Sequence, residues 1–137
     1  MDKNLKAISL FSGCGGADLG LIGGFTYLGK KYKKNPISIV HASDIDHKAV
    51  NTYNKNFKHH AVVDDVHNLD FQDINADIVI GGFPCQNFST VNPTKIPEKK
   101  SNQLFWQMGK VVSEIKPKIL IAENVKGFFT LKNNFYY

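Results

Sequence analysis

Short apolar runs bounded by turn residues recur along the chain and predict five buried strands. They cover residues 7–11, 37–42, 60–63, 78–80 and 118–122. Helical spacing of apolar residues predicts a helix beginning near residue 17, a second over residues 47–57 and a third over residues 101–115. Ser101 is the expected N-cap of the third helix, and Pro117 follows its end. Strands that alternate with helices indicate an α/β fold with a doubly wound, mostly parallel sheet.

Composition adds few constraints to this picture. A chain of 137 residues, 42% hydrophobic and 21% charged, is expected to form one domain around one core. No apolar run approaches the roughly 20 residues needed to cross a bilayer, and the first residues do not resemble a secretory signal. With only Cys14 and Cys85, a disulfide framework is not expected. We therefore expect a cytoplasmic protein.

The charge is basic, and lysines dominate two short segments. The formal net charge is +5, and the lysines cluster at residues 30–34 and 95–100. A basic balance is compatible with binding to nucleic acid, but solvated loops give the same pattern. Both interpretations stay open for these segments.

A glycine-rich turn, Ser12-Gly-Cys-Gly-Gly16, follows the first predicted strand. Glycines there permit a tight turn and a close approach of backbone amides to a ligand. Strand, glycine turn and helix together are typical of nucleotide-binding sheets. The match to the dinucleotide-binding pattern is imperfect, because Asp18 stands where a third glycine is expected.

Residues capable of chemistry follow every predicted strand. In a parallel sheet, all of these strand ends meet at one edge, where ligands bind in open α/β folds. In chain order they are the glycine turn, Asp44, Asp65, Cys85 and Glu123. An acid after the second strand is placed to accept hydrogen bonds from ribose hydroxyls, whereas Asp46 fits a helix N-cap better.

Two residue types need a separate interpretation. Cys85 lies in the segment Phe83-Pro-Cys-Gln86, and on spacing alone an isolated cysteine of this kind is ordinarily a small buried residue. The five histidines, residues 41, 47, 59, 60 and 67, match no ligand spacing of a structural zinc site. We expect no metal and solvated histidines.

Taken together, these segments resemble the DNA (cytosine-5)-methyltransferases. Phe11-Ser-Gly-Cys-Gly-Gly16 resembles the S-adenosylmethionine loop of that family, and Gly82-Phe-Pro-Cys-Gln86 resembles the motif that bears its catalytic thiol. Glu123-Asn-Val125 resembles the motif with the catalytic acid, and Leu104-Phe-Trp106 a segment on the cofactor side. The resemblance spans nearly the whole chain. It implies a Rossmann-like methyltransferase fold with strand order 3-2-1-4-5, truncated after the fifth strand.

The resemblance also implies roles for individual residues. Cys85 would be the nucleophile, Glu123 the acid that contacts the pyrimidine ring, and Asn124 a residue that positions their loop. Asp44 would hold the ribose, where the family more often has glutamate, and Asp65 would accept the adenine amine. The remaining residues on the cofactor side would be Phe11, Gly13, Gly15, Gly16, Ile45, Val66, Pro84 and Leu104. The implied cofactor is S-adenosyl-L-methionine, and the implied substrate is double-stranded DNA with a flipped cytosine.

The resemblance ends before several parts of the family. We expect an incomplete catalytic domain over residues 1–137, without the target-recognition domain or the late motifs. A split enzyme, a truncated gene product and a fragment each explain this. The fifth strand would then be a bare apolar edge that pairs with a complementary subunit or with a second copy. A non-catalytic cofactor-binding module and a nicotinamide-dependent oxidoreductase remain as alternative functions.

Overall fold

The computed structural model describes residues 4–71, 73–84 and 99–125, with side chains from residue 104 onward in the last range. Seven strands and three helices lie in these ranges. In chain order they are β1 (Leu5–Leu10), α1 (Gly16–Ile22), β2 (Thr26–Tyr27), β3 (Lys30–Lys31), β4 (Ile37–Asp44), α2 (His47–Asn56), β5 (Val62–Val63), β6 (Ile78–Gly81), α3 (Lys99–Ile115) and β7 (Ile119–Ala122).

Five of these strands form one parallel sheet in the order β5-β4-β1-β6-β7. Counted along the chain, this is the expected order 3-2-1-4-5, so the predicted fold is confirmed. β1 lies at the centre and pairs with β4 from Leu5–Ile37 to Leu10–Ser43. Because all five strands run in one direction, their carboxyl ends share one edge, which we call the rim. The opposite edge, where the strands begin, we call the amino edge.

Hydrophobic residues pack against both faces of the sheet, because successive side chains of a strand point to opposite faces. On one face, Ile8, Leu10 and Val79 pack with residues of α3. On the other, Ala7, Ile39 and Ile78 pack with residues of α2. The central strands β1 and β6 are covered on both sides, which explains why apolar residues occupy both of their faces.

The start of α2 confirms the interpretation of Asp46 as a helix cap. Its carboxylate accepts a hydrogen bond from the backbone N–H of Lys48 at 2.8 Å. This bond satisfies one of the free amides at the helix start and contributes about 1 kcal/mol to stability. Further along the helix, Val50 and Tyr53 are buried against the sheet.

The lysine-rich segment at residues 30–34 is more ordered than the sequence suggests. Instead of a loop, β2 and β3 form a two-stranded antiparallel hairpin, with Thr26 opposite Lys31 and Tyr27 opposite Lys30. The turn residues Leu28 and Gly29 both have positive φ, as tight hairpin turns require. The pattern missed this hairpin because its strands have only two residues each. The second lysine cluster, residues 95–100, has no described side chains.

β7 forms one edge of the sheet and is exposed along its whole length. Ile119, Leu120 and Ile121 are 45%, 49% and 38% exposed, respectively. In the described residues, no helix is both long and apolar enough to cross a membrane.

Candidate active site

The glycine turn at the end of β1 adopts backbone conformations that few residues other than glycine tolerate. Gly13 and Gly15 have φ of +54° and +90°, and Phe11 enters the turn with φ of +53°. A non-glycine residue in this region carries strain, which proteins commonly retain at functional sites. Gly15 also lies against the aromatic residues of α2, where a Cβ atom would come within 2.3 Å of the Phe57 ring. The turn is therefore held close to α2.

The backbone amides of this turn are largely bonded within the protein. The N–H of Ser12 donates to the carbonyl of Ser43, and that of Gly15 donates to the carbonyl of Ser12, each at 2.9 Å. The N–H of Gly13 donates to the Asp44 carboxylate at 2.8 Å. Few of these amides are left to cradle a phosphate group.

Asp44, at the end of β4, joins the turn to the neighbouring loop. One carboxylate oxygen accepts the N–H of Gly13, and the other accepts the N–H of Asp46 at 2.9 Å. Each oxygen of a carboxylate can accept a second hydrogen bond. The two bonds therefore fix the orientation of Asp44 and leave acceptor capacity for a ligand.

Asp65 follows β5 and is held by His67. One of its carboxylate oxygens accepts hydrogen bonds from the backbone N–H of His67 at 3.0 Å and contacts the ring Nδ1 at 2.6 Å. These bonds, the backbone one first, lower the pKa of Asp65 below its ordinary value. The carboxylate therefore stays ionised and able to accept hydrogen bonds.

An open cavity of about 240 Å³ lies at the rim between these strand ends. Apolar side chains form most of its wall, and carboxylates lie beside them. Its lining residues are Phe11, Ser43, Asp44, Ile45, Asp64, Asp65, Val66, Pro84 and Leu104. The structure thus brings together seven of the residues proposed for the cofactor side. Gly13, Gly15 and Gly16 are not among the lining residues.

Three residues that line this cavity or lie in the glycine turn were missed in the sequence interpretation. Ser43 and Asp64 line it directly. The hydroxyl oxygen of Ser12 is buried and has no hydrogen-bond partner in the described part of the chain. A buried hydroxyl without a partner is costly, so it suits a ligand that would supply one. Its position inside the glycine turn was the available signal.

The ends of β6 and β7 bring Glu123 and Asn124 next to the loop that leads toward Cys85. The amide group of Asn124 donates to the backbone carbonyl of Phe83 at 3.0 Å. A carboxylate oxygen of Glu123 lies 3.1 Å from the position that a Cβ atom on Gly82 would take. The absence of a side chain at Gly82 therefore lets the acid lie directly against this loop. Cys85 itself lies outside the described residues.

A buried network lies beneath the glycine turn, and the sequence interpretation did not identify it. Asp18 is fully buried in α1 and accepts hydrogen bonds from the hydroxyls of Ser9 at 2.6 Å and Tyr53 at 2.7 Å. Burial raises the pKa of Asp18 above its ordinary value, and the two hydroxyls oppose that rise. The signal was an acid three and four residues before Leu21 and Ile22, on the same side of a short helix.

The expectation of solvated histidines is wrong for two of them. His41 and His59 each have a buried Nε2 atom without a hydrogen-bond partner among the described residues. Burial lowers the pKa of both rings, and His41 packs edge-on against Phe71. Within the described ranges, no three His, Cys, Asp or Glu side chains are grouped as metal ligands would be.

Comparison with known proteins gives matches over nearly the whole chain. The family model for C-5 cytosine-specific DNA methylases matches residues 5–136. The Type II methyltransferase M.Bsp6I of Bacillus sp. (strain RFL6) is 35% identical over 124 residues, covering 89% of this chain and 36% of the relative. M.NgoFVII of Neisseria gonorrhoeae is also 35% identical, covering 91% of this chain and 31% of the relative. The chain thus spans about a third of the length of these curated relatives.

A solved structure with the same fold gives a consistent result. The Dnmt2 methyltransferase of S. pombe superposes with a TM-score of 0.67 at 27% identity. The match covers 93% of this chain and 36% of that protein.

Proposed function

The chain belongs to the family of C-5 cytosine-specific DNA methylases, and from this premise we propose that it forms the cofactor-binding and catalytic part of a DNA (cytosine-5)-methyltransferase. The observation that carries the proposal is the rim cavity, where apolar walls and three carboxylates meet beside the loop that leads to Cys85.

The cavity has the chemistry expected of an adenosine site. We assign the adenine ring to the apolar walls formed by Phe11, Val66 and Leu104, because a planar ring gains stabilisation between such surfaces. Asp44 would accept the ribose hydroxyls, and Asp65 would accept the exocyclic amine. Ile45 and Pro84 would complete the pocket, with Gly13, Gly15 and Gly16 leaving room for the methionine part.

S-adenosylmethionine would supply an electrophilic methyl group when bound in this pocket. The buried Ser12 hydroxyl, which has no partner among the described residues, supports a polar ligand beside the glycine turn. Three carboxylates in the wall suit a ligand that carries hydroxyl and ammonium donors.

The same features disfavour the nicotinamide-dependent oxidoreductase. A dinucleotide places its diphosphate on the free amides of a glycine turn. Here the N–H groups of Ser12, Gly13 and Gly15 are bonded to protein oxygens. The carboxylates of the cavity would also repel the diphosphate.

We assign the chemistry on the DNA base to Cys85, Glu123 and Asn124. The Cys85 thiolate would add to C6 of a flipped cytosine, and the electron pair released into the ring makes C5 nucleophilic. Glu123 would stabilise this adduct by a hydrogen bond at N3. After C5 accepts the methyl group and loses its proton to a base, the thiolate leaves. Asn124, bonded to the carbonyl of Phe83, would hold the acid beside the nucleophile loop.

A second protein chain is part of this proposal. β7 presents an exposed apolar edge of a parallel sheet, and such edges pair with further strands. We propose that a complementary methyltransferase segment or a second copy of this chain covers it, and that turnover requires the complementary part. If the chain is instead a non-catalytic module, it should bind the cofactor and show no methyl transfer with any complementary segment.

The test is a covalent trap. The DNA contains 5-fluorocytosine in place of cytosine. It is mixed with S-adenosylmethionine, the chain and a C-terminal segment from a relative such as M.Bsp6I. An adduct stable to denaturation should form. Peptide mapping should place the adduct on Cys85, and Cys85→Ser should abolish it.

The exposed Cys14 provides a matched control, because it is the other cysteine of the chain. Cys14→Ser should leave the adduct intact. An adduct that survives Cys85→Ser would sink the assignment of the nucleophile. Binding of S-adenosylmethionine to the chain alone, measured by calorimetry and lost in Asp65→Asn, tests the cofactor site separately.

A further inference from the structure

The hairpin β2–β3 carries a concentration of positive charge that the proposed chemistry does not use. Four lysines lie on it or directly after it, and Tyr27 and Leu28 at its tip are 62% and 87% exposed. The lysines are Lys30, Lys31, Lys33 and Lys34, and all are exposed. This is a basic surface interleaved with aromatic residues.

The hairpin is held together by contacts along its length and at its base. Phe25 and Tyr32 stack with ring centroids 4.8 Å apart, and the Tyr32 N–H donates to the Phe25 carbonyl at 2.8 Å. Its base is closed by a bridge between Gly23 and Lys34. Gly23 has no room for a side chain, since a Cβ atom would come within 2.1 Å of the Lys33 carbonyl oxygen.

The strand pairing places the lysines on defined faces. Directly opposed residues of an antiparallel pair share a face, and faces alternate along each strand. Lys31 and Lys33 therefore lie on one face, about 6 to 7 Å apart. This spacing is comparable with that of successive phosphates along a nucleic-acid strand. On the other face, the Lys30 ammonium lies 5.2 Å from the centre of the Tyr32 ring.

The position of the hairpin separates it from the rim. It precedes the start of β4, whose first residue, Ile37, pairs with Leu5 at the start of β1. The hairpin is thus at the amino edge of the sheet. β1 and β4 have six and eight residues, so this edge lies about 20 Å from the rim.

Charge is divided between the two edges in the described residues. Acids follow the strands at the rim, where Asp44, Asp64 and Asp65 line the cavity. At the amino edge, Lys6 and Lys116 add to the hairpin lysines. Two acids near this edge, Asp77 and Glu114, form ion pairs with Lys118 and Lys110, respectively.

We propose that the amino edge, through the β2–β3 hairpin, is a second contact surface for duplex DNA that binds the phosphate backbone without sequence preference. Because the amino edge and the rim lie at opposite ends of the strands, we assign it to a DNA segment other than the one that presents the cytosine. Such a contact raises non-specific affinity and is strongly salt-dependent. DNA is favoured over other polyanions because the family acts on it.

The test measures binding of the chain to poly(dA)·poly(dT) by fluorescence anisotropy across a range of salt, without cofactor. This duplex has no cytosine, so the result is independent of the proposed methyl transfer. The double variant Lys31→Gln/Lys33→Gln should reduce the slope of log K against log salt by about two. At low salt its affinity should fall by at least about tenfold.

Two further variants make the result specific. Lys48→Gln/Lys55→Gln removes the same charge from the exposed surface of α2, and it should leave the slope nearly unchanged. Lys31→Arg/Lys33→Arg should retain wild-type binding, with circular dichroism confirming the fold of every variant. Equal slopes for both glutamine variants, or no measurable wild-type binding, would overturn the proposal. The proposal would also be overturned if Lys31→Gln/Lys33→Gln lost binding to phosphatidylserine vesicles but kept its DNA binding. The surface would then be a membrane contact.

Discussion

At the scale of single residues, Asp18 couples the glycine turn to the core. Its carboxylate joins α1, β1 and α2 through the hydroxyls of Ser9 and Tyr53, and all three side chains are almost completely buried. A buried carboxylate is costly when ionised, unless its oxygens are well satisfied. Here two donors offset part of that cost, and the structure gains a rigid link beneath the turn.

This network predicts a characteristic dependence of stability on pH. Burial raises the pKa of Asp18 from its ordinary value of 3.8. Between that pH and the folded-state pKa, the protein therefore takes up a proton on this carboxylate when it folds. As pH rises from about 3.8 through the folded-state pKa, the wild type therefore loses stability, and above that pKa the loss is complete. Asp18→Asn has no such penalty, so its stability relative to the wild type should rise through this window and then level off. Urea unfolding between pH 4 and pH 8 measures the difference.

Tyr53→Phe is the matched variant for this experiment. It removes one of the hydroxyls that hold the pKa of Asp18 down, so the loss of stability with rising pH should extend to higher pH than in the wild type. A difference between Asp18→Asn and the wild type that stays constant with pH would contradict the assignment. Titration of the other groups, including His41, largely cancels when the variants are compared.

At the scale of elements, the glycine turn owes its shape to two separate requirements. Gly13 and Gly15 both need positive φ, but only Gly15 also lies against a neighbouring helix, through Phe57 and Tyr53. Tyr53 and Phe57 stack on each other with centroids 4.3 Å apart, which limits how far the Phe57 ring can move. Backbone conformation and packing can therefore be tested independently.

Gly15→Ala should destabilise the protein by about 1 to 3 kcal/mol, because it adds both backbone strain and a clash. Gly13→Ala should cost less, about 1 kcal/mol, because nothing lies within 4 Å of its added Cβ atom. Gly20→Ala, in α1 and also unobstructed, should stabilise by about 0.5 to 1 kcal/mol. Thermal or urea unfolding gives all three values, and equal effects of Gly13→Ala and Gly15→Ala would exclude packing as the cause.

At the scale of the whole molecule, the two edge strands of the sheet, β5 and β7, differ. β5 has only two residues and offers little of an edge, whereas β7 presents four exposed residues, three of them large and apolar. Long apolar edges pair with other chains unless they are covered or charged. The surface that a second chain would cover is therefore expected at β7.

A charge placed on β7 should reduce self-association. Sedimentation velocity of the wild type should show mass increasing with concentration, and Leu120→Lys should shift the chain toward the monomer. Val62→Lys adds the same charge on β5, the other edge strand, at a residue of similar exposure. This variant should behave like the wild type. A wild type that stays monomeric at every concentration would contradict self-association through this edge.

Much of the fold could be predicted from the sequence, because strand and helix periodicity depend on local patterns. The parallel order of the five strands was confirmed, as was Asp46 as a helix cap. The β2–β3 hairpin was missed, because two-residue strands carry no periodicity. The roles assigned to Cys85 and to the cofactor residues stay predictions, and Cys85 lies outside the described residues.

The sequence by itself determined which residues follow each strand, and the parallel topology then places these residues at one rim. Only the tertiary structure decided how they are bonded. It shows Asp44 engaged with the Gly13 amide, Asn124 tied to Phe83, and Asp18 buried beneath the turn. These contacts join residues far apart in the chain, so no local pattern encodes them. Periodicity reports which face of an element is buried, whereas partners are chosen by packing in three dimensions.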